Sequence, residues 1–347
     1  MGTVLIKENL PEIIPDIETL EDLLSTPTQG LVDDFKNLEG DIMVLGVGGK
    51  VGPTLAMMAK RAAPGKNVIG VARFSDPDVK RRLEEADIDC IKCDLLEQGE
   101  VKKLPEIPNI IYMAGKKFDT AGMEPFTWAM NVVVPTYVGE RFKDSRIVAF
   151  STLCVYPFAD MNGPGWDETV KPTPLGEYAN SCAGRERVFQ YFSKKHNTPG
   201  RLVRLNYAID LRYGVLQDIA LKLLNKKEIN ISTGYANVIW QGDSTAQILR
   251  CLLHCEIPSS PINIGMPKLA CIRDVAQKFA EHFNIEPQFV ETEQDLIWHN
   301  NTSLAARLFG EPIVDLDTMI KWNAEWLKRD LPIYQKPTHY DQRQGVF

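Results

Sequence analysis

The sequence is short of everything that would send it into a membrane, out of the cell or onto nucleic acid. No apolar run approaches the roughly 20 residues that span a bilayer, and "MGTVLIKENLPEIIPDIETLEDLL" is too acidic and mixed for a secretory signal. The sixth residue is Ile rather than Ser or Thr, which argues against myristoylation of Gly2. Positive charge is in deficit: 39 Lys and Arg against 46 Asp and Glu leave a net charge of -7, a poor match to a polyanion. Histidine is scarce, at five copies, and forms no HExxH or similar ligand pattern. The seven cysteines are odd in number, which without a signal peptide reads as reduced thiols in a cytoplasm. Cys90-x-x-Cys93 lacks a second pair, and Cys251 and Cys255 flank His254 at helical spacing, so packing is the reading for both and no metal is expected.

What is present suits a large α/β protein: 347 residues, 44% hydrophobic and 24% charged. Residues 1–40 read as an N-terminal extension whose helical spacing is broken by Ser25-Thr-Pro-Thr-Gln-Gly30. Ile42–Leu45 then forms a short apolar run, followed by glycines at 46, 48, 49 and 52. Val51, Leu55, Met58 and Ala62 follow at helical spacing, and "NVIGVARF" reads as a second strand. Strand-like runs recur at "DIDCIKCDL", "NIIYMAG", "RIVAFST" and "GRLVRLNY" with helical stretches between them. This alternation predicts a Rossmann-type, doubly wound parallel sheet over 41–205. A smaller α+β C-terminal lobe is expected over 206–330, with some interleaving, and 331–347 reads as a polar, extended or disordered arm.

Gly46-x-x-Gly49-x-x-Gly52 lies between a strand and an amphipathic helix, the setting in which backbone must approach a pyrophosphate at a helix N-terminus. Gly46, Gly48, Gly49, Lys50, Val51 and Gly52 are the candidate cofactor loop. The second strand ends in Ala72-Arg73, where NAD enzymes place an acid for the ribose. A missing acid and an arginine favour a 2′-phosphate, so NADP(H) is preferred and NAD(H) is the second candidate. Asp94 and Leu95, closing the third strand, are candidates for the adenine, although Asp94 alternatively caps the following helix.

Five stretches, "GVGGKVG", "CDL", "MAG", "STLCVYP" and "YANSC", stand in an order that resembles the extended short-chain dehydrogenase/reductases, the NAD(P)-dependent epimerase/dehydratase group, over roughly residues 41–330. "VIGVARFS" is similar to the NADP-type second strand of the GDP-mannose dehydratases, and Asn131 to the family's asparagine before the fifth strand. The resemblance implies a hydride-transfer site in which Tyr178 is the acid/base and Thr152 bonds the substrate oxygen. It also implies Ala114, Gly115 and Asn131 beside the cofactor, and Asn206 and Tyr207 on the substrate, a sugar or sugar derivative. A homodimer follows by analogy only.

Two departures narrow this. Leu153-Cys154 stands where 4,6-dehydratases carry Asp-Glu, which argues against that elimination. Cys182 stands four residues after Tyr178, where the family has the lysine that lowers the tyrosine pKa from ~10. A charge about 4 Å away is worth at most ~4 kcal/mol at an effective dielectric of ~20, up to two or three pKa units. Lys116, Lys117 and Arg185 are the candidate replacements. Cys182 has no paired histidine in sequence reach, so nucleophilic work by it is not expected. The expected activity is oxidation, reduction or epimerisation at a carbinol or ketone carbon. The alternative is an NADP-binding sensor without turnover, against which Thr152, Tyr156 and Tyr178 argue.

Overall fold

A computed structural model describes residues 3–117, 120 and 122–345, so Met1 and Gly2 of the extension and the last two residues of the arm lie outside it. Five strands in chain order form most of a parallel sheet: β1 (Ile42–Leu45), β2 (Val68–Ala72), β3 (Asp89–Lys92), β4 (Asn109–Tyr112) and β5 (Arg146–Thr152). The Gly200–Leu205 and Ser260–Ile264 strands complete seven, in the order β3-β2-β1-β4-β5, then Gly200–Leu205, then Ser260–Ile264. Every pairing is parallel. The period of two along β1 serves two cores: Ile42 and Val44 face one layer, Met43 and Leu45 the other. The sheet therefore reaches residue 264, into the stretch read as the second lobe. The second lobe draws its chain from both sides of the last strand, residues 209–240 before it and 270–340 after it.

The extension forms α1 (Ile17–Ser25), capped by Asp16, and α2 (Gln29–Lys36), capped by Thr28. Leu20 and Leu24 of α1 join the core of the second lobe, while Leu31 and Phe35 of α2 join the sheet layer. Glu21 accepts from Arg212 at 2.9 Å and also pairs with Arg82, so one carboxylate ties the extension to both lobes. Along the sheet lie α3 (Gly52–Ala62), α4 (Pro77–Glu85), the short α5 (Gln98–Val101) and α6 (Glu124–Trp128). A π-turn over Ala129–Val133 leads into α7 (Val134–Arg141), and the long α8 (Gly176–His196) follows. The second lobe is built on α9 (Val215–Leu224), with the Ile272–Phe283 and Leu316–Lys328 helices beside it. The described part of the arm is irregular but packed: Thr338 donates to Asp218, Lys222 pairs with Asp341 at 2.9 Å, and Tyr340 is buried.

A buried ion pair fixes the junction of sheet and α8. Arg204 donates to Glu186 at 2.9 and 2.8 Å and to the Tyr156 hydroxyl at 2.7 Å. Ser151 adds a bond to Glu186 at 2.7 Å, and Tyr156 meets Asn263 Oδ1 at 2.9 Å. Tyr156 thus belongs to the scaffold; its hydroxyl is committed to residues far away in sequence.

Candidate functional site

The C-terminal ends of β1 to β4 open a cleft of about 270 Å³. Each glycine there has its own reason. Gly46 has φ +92, and a Cβ on it would lie 2.7 Å from the Ala114 nitrogen. A Cβ on Gly52 would run into the Val47 carbonyl. Gly49 differs: its nearest neighbour would be the Gly46 oxygen at 3.7 Å, so the protein itself leaves that space open. The Gly46 and Val47 N–H groups both donate to the Val71 oxygen, at 2.9 and 3.2 Å, which pins the loop to β2. Val51 is the N-cap of α3, whose first turn has no acid and no side-chain cap, so its N–H groups are left for an anion.

Gly48, Ala72, Arg73, Asp94, Leu95, Ala114 and Gly115 also line the cleft. Arg73 is exposed at the rim. Asp76, unremarked in the sequence, shares that wall and caps α4. Asp94 accepts from the Leu96 N–H at 3.0 Å with one oxygen, while Leu95 packs into the sheet core.

Around the end of β5, the structure brings Tyr178 and Cys182 of α8 against Leu153, Cys154, Val155 and Trp298, with Tyr207 at the edge. Trp298 arrives from a remote loop and carried no sequence signal. The Thr152 oxygen accepts from the Cys154 N–H at 3.3 Å, capping the short turn after β5. Burial pushes the Tyr178 pKa well above the ordinary phenol value; Cys182 and Cys154 push the same way and Arg185 opposes them. Burial likewise raises the Cys182 thiol, again against Arg185. Near neutral pH both groups carry their protons, so Tyr178 stands as a proton donor rather than a poised base.

Arg185 lies beneath this wall, 6% exposed. Its guanidinium donates to the Phe150 carbonyl at 2.9 Å and to the Asn131 side-chain oxygen. No carboxylate salt bridge reaches it among the described residues, its Nε is buried without a partner, and Glu186 next door is spent on Arg204. Asn131, set in the π-turn, joins the layers: its oxygen accepts from the Lys116 N–H at 3.0 Å. Its amide donates to the Lys116 carbonyl at 3.1 Å and to Ser181 at 2.8 Å, and Ser181 donates to the Tyr178 carbonyl at 2.7 Å. Gly115 is needed here, because any Cβ would strike Arg185. Lys116 therefore enters the arrangement through its backbone. Lys117 instead carries its ammonium 5.9 Å over the Tyr207 ring, where burial lowers its pKa.

Lys50 crosses from the glycine loop to sit 4.0 Å over the Tyr213 ring. Burial brings its pKa down to about 7; Asp210 resists, while Lys117 and Arg212 push further down. Asn206 donates to the Asn300 side-chain oxygen at 2.9 Å, and among the described residues its own oxygen is buried without a partner, as is the Tyr207 hydroxyl.

Together these features define an α/β protein of the Rossmann type, with a cleft lined by the glycine loop, Arg73, Asp94 and Gly115 and, at the end of β5, a separate buried cluster that holds Tyr178 and Cys182. No family model and no curated protein matches the sequence. The fold is shared with solved sugar-nucleotide enzymes of the extended short-chain dehydrogenase/reductase type. A dTDP-glucose 4,6-dehydratase from Bacillus anthracis, in complex with NAD, superposes with a TM-score of 0.70 at 15% identity over 84% of this chain and 97% of its own. A UDP-glucuronic acid 4-epimerase from Bacillus cereus, with UDP-glucuronic acid and NAD, gives 0.67 at 18% identity over 83% and 99%. A UDP-glucose 4-epimerase from Thermotoga maritima, with UDP-glucose, gives 0.67 at 16% identity over 84% and 99%.

Proposed function

We propose that this chain is an NADP(H)-dependent oxidoreductase acting at a carbinol or ketone carbon of a sugar-like substrate, with Tyr178 as proton donor and Arg185 as the resident positive charge. The observation that carries the reading is Arg185. A buried cation without an acid is costly, and this one lies under the cofactor-side loop beside Tyr178 and Cys182, where negative charge develops during carbonyl chemistry. The empty space at Gly49 and the uncapped start of α3 fit a pyrophosphate, and Arg73 at the rim fits a 2′-phosphate.

When bound, the nicotinamide supplies or accepts the hydride. Thr152 and Tyr178 orient the substrate oxygen, and Tyr178 delivers its proton to that oxygen as the carbonyl is reduced. Arg185 stabilises the tyrosinate left behind, and the apolar wall of Leu153, Val155 and Trp298 excludes water. The reverse direction needs Tyr178 to lose a proton first, which its raised pKa opposes, so reduction is favoured over epimerisation. Elimination of the 4,6-dehydratase kind is disfavoured by the buried Leu153-Cys154 pair. Asp76 on the ribose wall supports NAD(H) as the second reading.

Titrating NADPH and NADH into the protein, read by nicotinamide fluorescence, tests this. NADPH should bind more tightly, and Arg73→Ser should weaken NADPH by about tenfold, the loss of one charge-assisted contact, while sparing NADH. Equal affinities unmoved by Arg73→Ser would transfer the preference to the Asp76 reading, and no binding of either would end the proposal.

A further inference from the structure

We propose that the C-terminal arm, residues 331–345, is a strap that closes the wall around Tyr178 and has to lift before a substrate can enter. The role in substrate entry rests on the oxidoreductase reading above; the closure itself does not. The groups that would meet a substrate are shut in: Thr152, Tyr178 and Cys182 are 7%, 9% and 0% exposed. A substrate oxygen has to come within hydrogen-bond reach of the Thr152 and Tyr178 hydroxyls, so an element beside them must move. The arm touches the wall at two places. The Arg343 guanidinium lies 4.5 Å over the Phe158 ring and donates to the Leu296 carbonyl at 2.6 Å. Phe158 in turn lies 4.8 Å from the Trp298 ring and packs on the cluster that holds Tyr178 and Cys182. Leu296 and Ile297 pair with Asp160 and Ala159 and run directly into Trp298. Farther along, the Gly345 backbone meets that of Leu175 and Gly176, where α8 begins two residues before Tyr178. One segment therefore holds the wall from the Trp298 side and from the start of α8.

The arm is also the most lightly held part of that wall. β5 lies inside the sheet, and α8 is locked to the sheet by the Arg204–Glu186 pair and by Arg185 on the Phe150 carbonyl. Residues 331–345 form no helix or strand, and of them only Thr338, Tyr340 and Gly345 are buried. A few polar bonds moor the arm to the second lobe. The Tyr334 N–H donates to the Arg212 carbonyl at 3.0 Å, the Thr338 N–H and hydroxyl donate to Asp218 at 2.7 and 2.5 Å, and Asp341 pairs with Lys222 at 2.9 Å. Gln335 and His339, on either side of Thr338, have φ of +50 and +57, left-handed values that residues with a Cβ adopt at a cost. A segment with so few buried contacts opens at a small fraction of the cost of unfolding the sheet. Release of Arg343 and Gly345 uncovers Phe158 and the start of α8 while the sheet and α8 stay in place.

The test reads access to the wall rather than turnover. N-ethylmaleimide is added to the full chain, and labelling of each cysteine is followed in time by peptide mass spectrometry. Cys182 reports on the wall, and Cys251, fully buried in the sheet layer, is the control. In the wild type Cys182 should label at least about a hundredfold more slowly than in urea-unfolded protein. Gly345→Val sets a Cβ 2.3 Å from the Leu175 carbonyl oxygen at a φ of +72, which dislodges the end of the arm without altering any residue of the wall. It should speed Cys182 labelling by about tenfold, and a chain ending at Gln335 should do so by at least as much, with Cys251 unmoved in both. Arg343→Ala should fall between the wild type and the shortened chain. Should the shortened chain fail to fold, Gly345→Val and Arg343→Ala decide the matter. Cys182 labelling that these variants leave unchanged would overturn the proposal. So would a rise shared equally by Cys251, which marks loosening of the whole fold, or a wild-type Cys182 as reactive as in urea. The assay contains neither cofactor nor substrate. The strap can therefore fail while the oxidoreductase reading stands, and that reading can fail at NADPH binding while the strap stands.

Discussion

If Arg185 carries the charge that Cys182 does not, moving that charge back should be tolerated only when the arginine is removed. Cys182→Lys places an ammonium in a fully buried position beside Arg185. Two unit charges about 5 Å apart repel by ~3 kcal/mol at an effective dielectric of ~20, and the larger side chain adds roughly 1–3 kcal/mol of overpacking. The single variant should therefore lose about 4–6 kcal/mol. Arg185→Leu loses its bonds to the Phe150 carbonyl and to Asn131, whose oxygen keeps the Lys116 N–H. Relief of the buried charge offsets part of that loss, leaving about 1–3 kcal/mol. At about 6 Å the same charge is worth at most ~3 kcal/mol to a tyrosinate, or ~2 pKa units. With roughly half that charge formed in the transition state, reduction should slow by about tenfold. The double variant should then be more stable than Cys182→Lys alone, with a coupling near 3 kcal/mol, and should recover turnover. Urea unfolding and kcat at each corner of the cycle measure both. Additivity within about 0.5 kcal/mol would refute the reasoning, because it would mean that Arg185 and position 182 do not sense each other.

Tyr178→Phe should reduce turnover by about a hundredfold or more with cofactor affinity unchanged, as measured by steady-state kinetics and fluorescence titration. Asp243, held by burial at a pKa of about 6, binds more protons folded than unfolded between about 4 and 6. Stability from this group is present at low pH and is lost as pH rises through that window. Asp243→Asn, which keeps the acceptor for the Val314 N–H, should accordingly stabilise by up to about 3 kcal/mol at pH 7 and by almost nothing near pH 4, as read by denaturant melts. Glu186→Gln should cost about 3–5 kcal/mol by leaving Arg204 without its charge partner, again by urea unfolding.

The β1, glycine loop, α3, β2 unit was legible because each piece declares itself locally: an apolar tetrapeptide, glycines three apart, a 3.6-residue apolar period. The Ser260–Ile264 strand was not assigned to the main sheet, since "SPINI" carries nothing to say which sheet it joins. The arm's polar, Pro-containing sequence suggested extension or disorder, and its order comes from Asp218, Lys222 and Phe158, contacts with no periodic trace. Helical spacing put Arg185 on the face of Tyr178, but Lys116 looked equally suitable. What separates them is Asn131, which holds Lys116 by its backbone and Arg185 by its guanidinium across 15 and 54 residues of chain. Lys50 was read as one more residue of the cofactor loop, because the direction of its side chain depends on Tyr213, which no local pattern announces.

The central claim is that Tyr178 hands a proton to a carbonyl oxygen while a nicotinamide hydride reaches the neighbouring carbon. Its most direct test is a single-turnover reaction of NADPH, deuterated at the transferred position, with each of a panel of keto sugars. The account predicts deuterium on the product carbinol carbon in the wild type, and its transfer about a hundredfold or more slowly in Tyr178→Phe. Tight NADPH binding with no deuterium transferred by the wild type to any keto sugar of the panel would contradict it and leave a protein that senses its cofactor without using it.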